Sequence, residues 1–459
     1  MKTEEPGLPF PIERRLLSGW GRTPSSLSDV ATPFSGDDVE QLIGQAGGRG
    51  VIPRGLGRSY GDAAQRAGGL VLDMTRLDSI GPIDRSTGLV TVGAGVSIDQ
   101  LLRTALPQGG FVPVTPGTRS VTIGGAIAAD IHGKNHHRDG SFCRHVTAMT
   151  LVTPTGVHEV TPENDPDLFW ATAGGMGLTG IVVSATVRLL PVESSWMSVD
   201  THRFDDLDDL MAEMEANDHR YHYSVAWVDC NSSGSRLGRS ILTRADHAGR
   251  LQLERSPAVN GLQELAHARV KVPRQAPRGL LNMASVTAFN ELWFRRVPRL
   301  RLGELQHAGT FFHPLDGVSD WNLLYGPNGF LQHQFAVSDL HGDAVGKAID
   351  LVAAARVPSF VSVLKRFGPG DDGPLSFPIA GWTLALDFPI GPPALPALVD
   401  ALDELVLNAN GRVYLAKDAR ARAEQVHKMY PRIPELQAVR DRVDPDRVLQ
   451  SDLSRRLDI

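Results

Sequence analysis

Short apolar runs separated by glycine dominate the chain between residues 50 and 191. Four of these runs are rich in β-branched residues, and we predict strands at residues 89–92, 111–114, 149–152 and 181–183. A helix is predicted after Ser97, a potential N-cap, because apolar residues follow it at helical spacing, namely Ile98, Leu101, Leu102 and Ala105. The pattern indicates an α+β region in which loops carry the binding groups.

The pattern changes after residue 191. Residues 200–218 hold eight acidic residues and one arginine around a predicted helix with one apolar face, formed by Leu207, Leu210, Met211 and Met214. Residues 329–335 and 382–388 alternate in the manner of strands. Gln332 and Gln334 share one face of the first of these strands. Polar groups inside an apolar strand need partners, and a bound ligand is one source of them.

A basic segment lies between residues 269 and 301, where eight arginines or lysines accompany a single acid, Glu291. Apolar residues are interleaved with these cations, so two interpretations stay open. The segment is either a surface loop anchored in the core or a patch that meets anionic phosphates at a membrane surface. Pro273, Pro277 and Pro298 argue against one continuous helix through the whole segment.

Composition excludes several classes of protein. With 459 residues, of which 42% are hydrophobic and 21% charged, the chain is long enough for two domains. A formal net charge of −6 argues against nucleic acid as a partner. Two cysteines, Cys143 and Cys230, form no CxxC pair. No signal peptide and no apolar run long enough to span a membrane are visible, so we expect a cytoplasmic or peripheral membrane location.

A glycine-rich loop at residues 53–62 follows the apolar pair Val51 and Ile52. Gly55, Gly57 and Gly61 allow backbone N–H groups to converge on an anion such as a pyrophosphate. The spacing G-x-G-x-x-x-G differs from the Rossmann fingerprint, and no long amphipathic helix follows before the next apolar run. The loop therefore predicts a nucleotide cofactor in a fold other than the Rossmann fold.

Two further segments repeat the theme. Residues 116–137 contain Gly117, Gly124 and Gly125 beside small alanines, and residues 170–180 contain four glycines. Three glycine-rich loops in one region indicate a bound nucleotide cofactor far more specifically than any one loop does.

These three segments, together with residues 444–449, resemble the vanillyl-alcohol oxidase type of FAD-binding flavoenzymes. The resemblance covers residues 19–457 and implies a two-domain α+β fold. In such a fold, residues 10–195 and 411–459 would form the FAD-binding domain. Residues 196–410 would form a substrate domain built on an antiparallel sheet.

The resemblance also implies the site. The residues expected to contact FAD are Pro53, Arg54, Gly55, Leu56, Gly57, Arg58, Ser59, Tyr60, Gly61, Asp62, Ala63, Gly117, Thr122, Ile123, Gly124, Gly125, Ala129, Asp130, Ile131, His132, Val182 and Tyr414. The residues expected around the substrate face of the flavin are Tyr60, His132, Lys134, Gln334 and Lys417.

Chemistry gives a reason for these residue types. Oxidation of an alcohol moves a hydride to the flavin while a proton leaves the hydroxyl group, and a neutral histidine or a desolvated lysine can accept that proton. His132 and Lys417 are the two candidates, and a cationic Lys417 would also stabilise alkoxide charge. Tyr60 can instead serve as an aromatic wall beside the ring.

Many relatives of this family attach FAD through a histidine in the first loop. Here Arg58 stands at that position in the sequence Gly55-Leu56-Gly57-Arg58-Ser59, and arginine offers no nucleophilic ring nitrogen. We therefore predict a non-covalent flavin.

A metal site is the alternative interpretation of the cluster formed by Asp130, His132, His136, His137 and Asp139. Its spacing matches neither H-E-x-x-H nor a zinc finger, so we expect no metal.

Longer matches at residues 132–137, 330–335, 374–378 and 414–418 resemble an actinobacterial branch of the family that oxidises the 2′-hydroxyl of polyprenyl-phosphoryl ribose. That resemblance implies the first half of an epimerisation to the arabinose donor for cell-wall synthesis, with a separate NADH-dependent keto-reductase as partner. Three positions depart from the branch: Thr383 replaces Asn, Ala385 replaces Cys and Phe312 replaces Tyr. These changes put the sugar or lipid preference in doubt.

Two other functions stay open from sequence alone. One is a soluble alditol or aldonolactone oxidase that passes electrons to O2. The other is a flavin-binding scaffold without turnover.

Overall fold

The computed structural model describes residues 11–232, 234–254, 261–262, 265, 270–272 and 274–459. Within them the strands are, in chain order, β1 (Glu13–Ser18), β2 (Ser25–Ala31), β3 (Val51–Arg54), β4 (Leu70–Asp73), β5 (Leu89–Gly93), β6 (Gly110–Phe111), β7 (Val146–Thr153), β8 (Gly156–Val160), β9 (Ile181–Arg188), β10 (Leu190–Pro191), β11 (Trp196–Phe204), β12 (Tyr223–Val228), β13 (Ser240–His247), β14 (Val270–Lys271), β15 (Leu300–His307), β16 (Val318–Ser319), β17 (Phe330–Ser338), β18 (Ser362–Phe367), β19 (Gly381–Pro389) and β20 (Arg412–Val413).

The helices of the same residues are α1 (Gly36–Ala46), α2 (Ile98–Ala105), α3 (Ile123–Ala128), α4 (His136–Asp139), α5 (Pro166–Thr172), α6 (Leu207–Asn217), α7 (Arg250–Glu254), α8 (Met283–Arg296), α9 (Ala308–Phe312), α10 (Asp343–Ala355), α11 (Leu395–Asn408), α12 (Ala423–Met429), α13 (Ile433–Val443) and α14 (Asp452–Leu457). No helix in this part of the chain is both long enough and apolar enough to cross a bilayer.

The first sheet has the strand order β1-β2-β4-β3, and β3 and β4 run parallel to each other. The glycine-rich loop joins β3 to β4 with no α-helix between them, which confirms that this loop does not belong to a Rossmann unit. Helix α1 begins at a capping box on Ser35 and buries Val39, Leu42 and Ile43 against the sheet.

The second sheet is antiparallel, with the order β5-β9-β7-β8. The predicted helix is α2: the Ser97 side chain accepts a hydrogen bond from the N–H of Gln100, and the four predicted apolar residues are buried. The strands predicted at residues 89–92, 149–152 and 181–183 lie within β5, β7 and β9.

The predicted strand at residues 111–114 is wrong beyond Phe111, where β6 ends. Pro113 has no N–H to give to a ladder, and its carbonyl accepts instead from the Asn135 side chain at 2.8 Å. The apolar character of residues 112 and 114 reflects burial in the core rather than strand pairing.

The third sheet has eight strands in the order β15-β11-β13-β12-β18-β19-β17-β20. The strands predicted at residues 329–335 and 382–388 correspond to β17, which carries the two glutamines, and β19; they pair antiparallel with Gln334 opposite Ala385. Every residue of β19 is buried. Helices α10 and α11 pack their apolar faces into the same core as β17 and β19, which leaves the other face of this sheet for the site.

The two charged segments take different forms. The acidic helix is confirmed as α6, with Leu207, Leu210 and Met214 buried, although residues 200–204 belong to β11. In the basic segment, α8 runs between Pro277 and Pro298. Arg269 and Pro273 of that segment lie outside the described residues.

The end of the chain returns to the first sheet. Leu449 bridges Val51 of β3, and the N–H of Gln450 donates to the Val51 carbonyl at 2.9 Å. The mixture of helices with antiparallel sheets agrees with the predicted α+β class. The domain boundaries at residues 195 and 410 stay a prediction.

Candidate active site

A single cavity of about 1290 Å³ lies between the glycine-rich loops and the open face of the eight-stranded sheet. This volume exceeds the ~300–1,000 Å³ of ordinary small-molecule sites. The cavity is therefore large enough for a dinucleotide together with a second molecule.

Glycines allow the three loops that form one wall to touch each other. A Cβ atom on Gly55 would lie 2.1 Å from Thr122 Oγ1, which belongs to the second glycine-rich segment. A Cβ atom on Gly177 in the third segment would lie 3.1 Å from Pro53 Cγ. Larger residues at these positions would push the loops apart.

The first loop also presents backbone donors to the cavity. None of the N–H groups of residues 56–59 donates to another group within the described part of the chain. Gly57, with φ of +64°, turns the loop so that this run lies along the cavity wall. Consecutive amide donors on a glycine-rich loop suit the pyrophosphate of FAD, so the residues present fit this cofactor.

The structure brings most of the predicted residues together. The cavity wall contains Pro53, Gly55, Leu56, Gly57, Arg58, Ser59, Tyr60, Ala63, Gly117, Thr122, Gly124, Gly125, Ala129, Ile131, His132, Val182 and Tyr414, together with Lys134, Gln334 and Lys417. Residues far apart in the chain thus line one space, as the resemblance implies.

Three predicted residues of the first loop do not line the cavity and instead hold the loop in shape. Arg54 donates to the carbonyls of Ala64 and Ser18 at 2.9 and 2.7 Å. A Cβ atom on Gly61 would lie 2.0 Å from the Asp418 carbonyl oxygen, so glycine allows close backbone packing there. Asp62 forms a bidentate ion pair with Arg456.

Two predicted residues of the second segment also face away from the cavity. Ile123, the first residue of α3, is fully buried in the core. Asp130 accepts a hydrogen bond from the Cys143 N–H at 3.1 Å and lies beside Asp371. Burial and the nearby Asp371 carboxylate raise the pKa of Asp130 well above its usual value. Both residues support the segment rather than line the space for a cofactor.

Lys417 lies on the turn that follows β20, where its N–H donates to the Tyr414 carbonyl at 2.9 Å. Its ammonium group is 3.7 Å from the centre of the Tyr60 ring. Burial lowers the pKa of Lys417 to about 7, and the Asp387 carboxylate opposes this shift. A neutral amine is therefore available near neutral pH.

Asp387, which the sequence did not single out, is buried in β19 behind Lys417. Burial raises the pKa of this carboxyl group to about 7. Gln332, directly opposite it on β17, donates to one of its oxygens, and Tyr325 donates to the other at 3.4 Å. Asp387 is thus held by two polar residues on the neighbouring elements and acts on Lys417 through its charge.

His132 is buried, and both of its ring nitrogens have neighbours. The Gln334 amide lies 2.9 Å from Nε2, and Lys365 Nζ lies 3.3 Å from Nδ1. Burial, reinforced by Lys365, lowers the pKa of His132 well below its usual value. Because both ring nitrogens of the neutral His132 already have neighbours, this side chain is better suited to orient a ligand than to accept a proton.

Two more buried lysines line the cavity. Lys134 donates to the Phe311 carbonyl, and its ammonium group lies 4.2 Å from the Phe311 ring centre. Burial lowers the pKa of Lys134 to about 7 and that of Lys365 to about 8. Among the described residues, no carboxylate forms an ion pair with either lysine. Buried cations of this kind are expected to attract an anionic ligand.

Tyr60 packs edge-on against Phe330, with ring centres 5.1 Å apart. Burial raises the pKa of the Tyr60 hydroxyl well above its usual value. A neutral phenol beneath a lysine fits the predicted aromatic wall.

The three departures from the branch pattern lie on the cavity or beside it. Thr383 Oγ1 accepts from Gln334 at 3.1 Å, and Ala385 and Phe312 line the cavity. Phe312 packs against Tyr223, with ring centres 4.8 Å apart. The loss of the amide, thiol and phenol of the branch pattern makes the pocket less polar, although Thr383 keeps a hydroxyl group.

The histidine cluster has structural partners. His136 lies 3.2 Å from the Ser141 hydroxyl and accepts from the Gly368 N–H, while His137 contacts the Tyr221 carbonyl. Asp139 pairs with His222. Within the described ranges, no group of three potential ligands is arranged to hold a metal ion.

Sequence reasoning missed Lys365 and Asp387. Lys365 stands beside Arg366 in the short strand β18, and Asp387 is the one charged residue of the apolar strand β19. Charged residues are rarely buried unless they have a partner, so a charge within an apolar strand is the sequence feature that could have identified both residues. Their position beside the cavity depends on strand order, which the sequence did not specify.

Known proteins resemble this chain along nearly its whole length. Residues 28–161 match the FAD-binding domain family. Decaprenylphosphoryl-beta-D-ribose oxidase of Mycolicibacterium smegmatis is 45% identical, over 98% of this chain and 99% of its own. An uncharacterised Streptomyces coelicolor protein is 40% identical over 79% of this chain.

A second group of relatives is more distant. L-gulono-1,4-lactone dehydrogenase of Mycobacterium tuberculosis is 25% identical over 96% of this chain. The higher identity over the full length favours the oxidase over the lactone enzyme. The chain therefore belongs to the decaprenylphosphoryl-β-D-ribose oxidase family of FAD-dependent oxidoreductases.

Proposed function

We propose that this protein oxidises the 2′-hydroxyl of a polyprenyl-phosphoryl-β-D-ribose to the 2′-keto sugar. One observation carries the proposal: the glycine-rich loops and the Lys417 amine line the same cavity, with the amine 3.7 Å from the centre of the Tyr60 ring of the first loop. The name of the Mycolicibacterium relative supplies the substrate class.

FAD supplies a hydride acceptor when it is bound. The backbone amides of residues 56–59 would hold its pyrophosphate, and Gly117, Gly124 and Gly125 leave room beside it. Arg58 stacks on Trp20, with the guanidinium carbon 3.9 Å from the ring centre.

Since arginine cannot form the histidine linkage, acid denaturation should release all of the yellow colour into the supernatant. Colour that stays on the precipitated chain would contradict non-covalent binding.

Lys417 would take the hydroxyl proton. Its pKa of about 7 leaves a substantial fraction of neutral amine, and its position above Tyr60 keeps the amine directed into the cavity. Gln334 and His132 lie beside each other and would orient the sugar hydroxyl groups. Positioned proton transfer of this kind contributes about 10²–10⁴-fold to a rate.

Lys134 and Lys365 would hold the phosphodiester of the substrate. Both are buried, line the cavity and lack a carboxylate partner among the described residues. One negative charge between them would offset the cost of burying two cations.

An anaerobic reduction assay tests the function. Polyprenyl-phosphoryl ribose should bleach the flavin, whereas free sugar alcohols and L-gulono-1,4-lactone should not. Bleaching by sugar alcohols or the lactone with peroxide formation in air would favour the soluble oxidase instead. Failure of every alcohol would favour a flavin-binding scaffold.

The 2′-keto product must be reduced on its other face for epimerisation. We therefore expect a separate NADH-dependent keto-reductase as partner. Purified enzyme with substrate should accumulate the keto sugar, and the arabinose epimer should form only when such a reductase is added. Formation of the epimer by this chain alone would contradict the need for a partner.

Docking at a membrane surface is proposed for the basic segment around α8. Arg278 and Arg299 are exposed and belong to this segment. Each cation near an anionic surface contributes about 1 kcal/mol. Changing both to glutamate should weaken binding to anionic vesicles more than about tenfold. Arg85→Glu with Arg188→Glu, at exposed positions flanking the second sheet, is the matched control and should bind like wild type.

A further inference from the structure

The cavity continues beyond the candidate chemistry, across the open face of the eight-stranded sheet. Directly paired residues on five neighbouring strands form one row along its floor: Gln334, Ala385, Val363, Trp227 and Ile241. The row begins with the polar group beside His132 and becomes apolar from Ala385 onward.

The row is long. Four strand spacings of ~4.8 Å separate β17 from β13, so the floor extends about 19 Å from the candidate chemistry. A ribose ring with its phosphate is much shorter than this. Val225 and Thr243, also paired with each other, widen the same floor.

Helix α8 forms the wall opposite this floor. Phe289, Trp293 and Arg296 line the cavity at i, i+4 and i+7, which places them on one face of the helix. The aromatic rings of Phe289 and Trp293 stack with centres 6.3 Å apart. These two residues form an aromatic roof of the same cavity that Trp227 and Val363 line, and the Phe289 ring also lies 5.1 Å from that of Phe360, another lining residue.

A different face of α8 fixes the helix to the sheet. The Asn290 side chain donates to Asp229 at 2.8 Å. The Phe294 ring lies under two guanidinium groups, those of Arg203 and Arg239, at 4.7 and 4.8 Å. Because these contacts hold the helix, the aromatic roof is part of the fold rather than a loose surface loop.

The roof is also open to the outside. Phe289 is 42% exposed and Trp293 is 41% exposed, although both line the cavity. Large aromatic rings that remain this exposed inside a channel are expected to cover an apolar ligand. Arg296, Arg301 and Glu304 line the far end of the channel, and Arg301 forms an ion pair with Glu304 at 2.8 Å.

We propose that this apolar extension, floored by Val363, Trp227 and Ile241 and roofed by Phe289 and Trp293, binds the polyprenyl chain of the substrate. The inference rests on the proposed function, since the chain enters with the sugar phosphate. The occupant is a hydrocarbon chain because the channel is continuous with the site and turns apolar just where the sugar would end. Its charged far end, where Arg296 is exposed, would face the membrane that holds the remaining isoprenes.

Chain length provides the first test. In detergent, kcat/KM of the wild-type enzyme should rise as isoprene units are added to the phosphoryl ribose, and should level off once the channel is filled. A value independent of chain length would overturn the proposal.

Variants of the roof provide the second test. Phe289→Ala and Trp293→Ala should raise KM at least tenfold for a long-chain substrate, and the rise should shrink steadily as the prenyl chain is shortened to a single isoprene. Phe34→Ala removes an exposed aromatic ring that is not part of the cavity lining, and it should leave KM unchanged for both the long-chain and the single-isoprene substrate. Equal losses for short and long substrates would show that the roof contacts the sugar, and no loss for either would show that the chain leaves elsewhere.

A binding measurement separates this proposal from the proposed function. Calorimetry in detergent with a polyprenyl phosphate that lacks ribose does not depend on oxidation. Wild-type enzyme should bind it, and Trp293→Ala should bind it at least tenfold more weakly. Wild-type binding that Trp293→Ala leaves unchanged would refute the channel, whereas loss of flavin bleaching with retained binding would refute only the reaction.

Discussion

At the scale of single residues, the site depends on charges that burial has altered. Lys417, Lys134 and Lys365 all line one cavity, and burial lowers the pKa of each. Lys417 differs from the other two because a carboxyl group, Asp387, lies near enough to raise its pKa. We therefore assign proton acceptance to Lys417 and anion binding to Lys134 and Lys365.

Removal of the amine tests this assignment. Lys417→Ala should slow anaerobic flavin reduction by about 10²–10⁴-fold, because no positioned base remains. Lys417→Arg keeps a positive charge but has no neutral form near pH 7, so flavin reduction by this variant should be almost as slow as by Lys417→Ala. The exposed Lys347→Ala on α10 serves as the control. A rate for Lys417→Ala within a few-fold of wild type, with flavin absorbance retained, would exclude the lysine as the base.

The pH dependence follows from the same residue. Because the pKa of Lys417 is lowered to about 7, the neutral amine becomes more abundant as the pH rises through that value, and the rate of flavin reduction should rise with it. Asp387→Asn removes the carboxylate that raises this pKa, so the profile should move to lower pH. An unmoved midpoint in Asp387→Asn would show that another group controls the profile.

At the scale of elements, the sequence predicted those helices and strands that depend on interactions between residues close together in the chain. The Ser97 cap and the spacing of four apolar residues were enough for α2, because capping and one-sided burial act within a few residues. The strand at residues 111–114 failed because burial alone makes a residue apolar, and Pro113 prevents ladder pairing. Apolar runs therefore locate the core better than they locate strands.

The glycine-rich loops are elements whose shape can be tested. Gly55→Ala should force Thr122 away, since the added Cβ would lie 2.1 Å from its hydroxyl oxygen. Gly57→Ala meets a positive φ, which costs roughly 1–2 kcal/mol and corresponds to about a tenfold weaker binding of FAD. FAD titration of the apoprotein, followed by flavin fluorescence, measures both effects.

Gly48→Ala is the matched control for the loop variants, because nothing lies within 4 Å of its added Cβ. Its FAD affinity should equal that of wild type. Wild-type affinity in Gly55→Ala and Gly57→Ala as well would mean that the loops do not hold the cofactor.

At the scale of the whole molecule, the C-terminal helix holds together two segments that line the site. Arg456 in α14 pairs with Asp62 of the first loop and with Asp418, which follows Lys417. Both carboxylates are buried. One guanidinium group thus joins the cofactor loop to the turn that carries the lysine.

Arg456→Ala should lower the free energy of unfolding by about 3 kcal/mol, because two buried carboxylates would lose their cation. It should also weaken FAD binding, since the first loop loses a support. The neighbouring Arg455 is exposed, and Arg455→Ala should leave both quantities unchanged. Urea unfolding and FAD titration provide the measurements; an Arg456→Ala protein as stable as Arg455→Ala would contradict the clamp.

The amino-acid sequence by itself determined the cofactor loops, helix α2 and the strands β17 and β19, because each depends on a short pattern of residue types. It gave Lys417 as a candidate through the family resemblance of residues 414–418. Only the tertiary structure decided which charges are buried together. Lys365 and Asp387 reach the site through the order and register of β18, β19 and β17, and the apolar channel exists only because five strands align their inward residues in one row. Pairing between distant strands is chosen by the packing of the whole molecule, so no local stretch of sequence contains it.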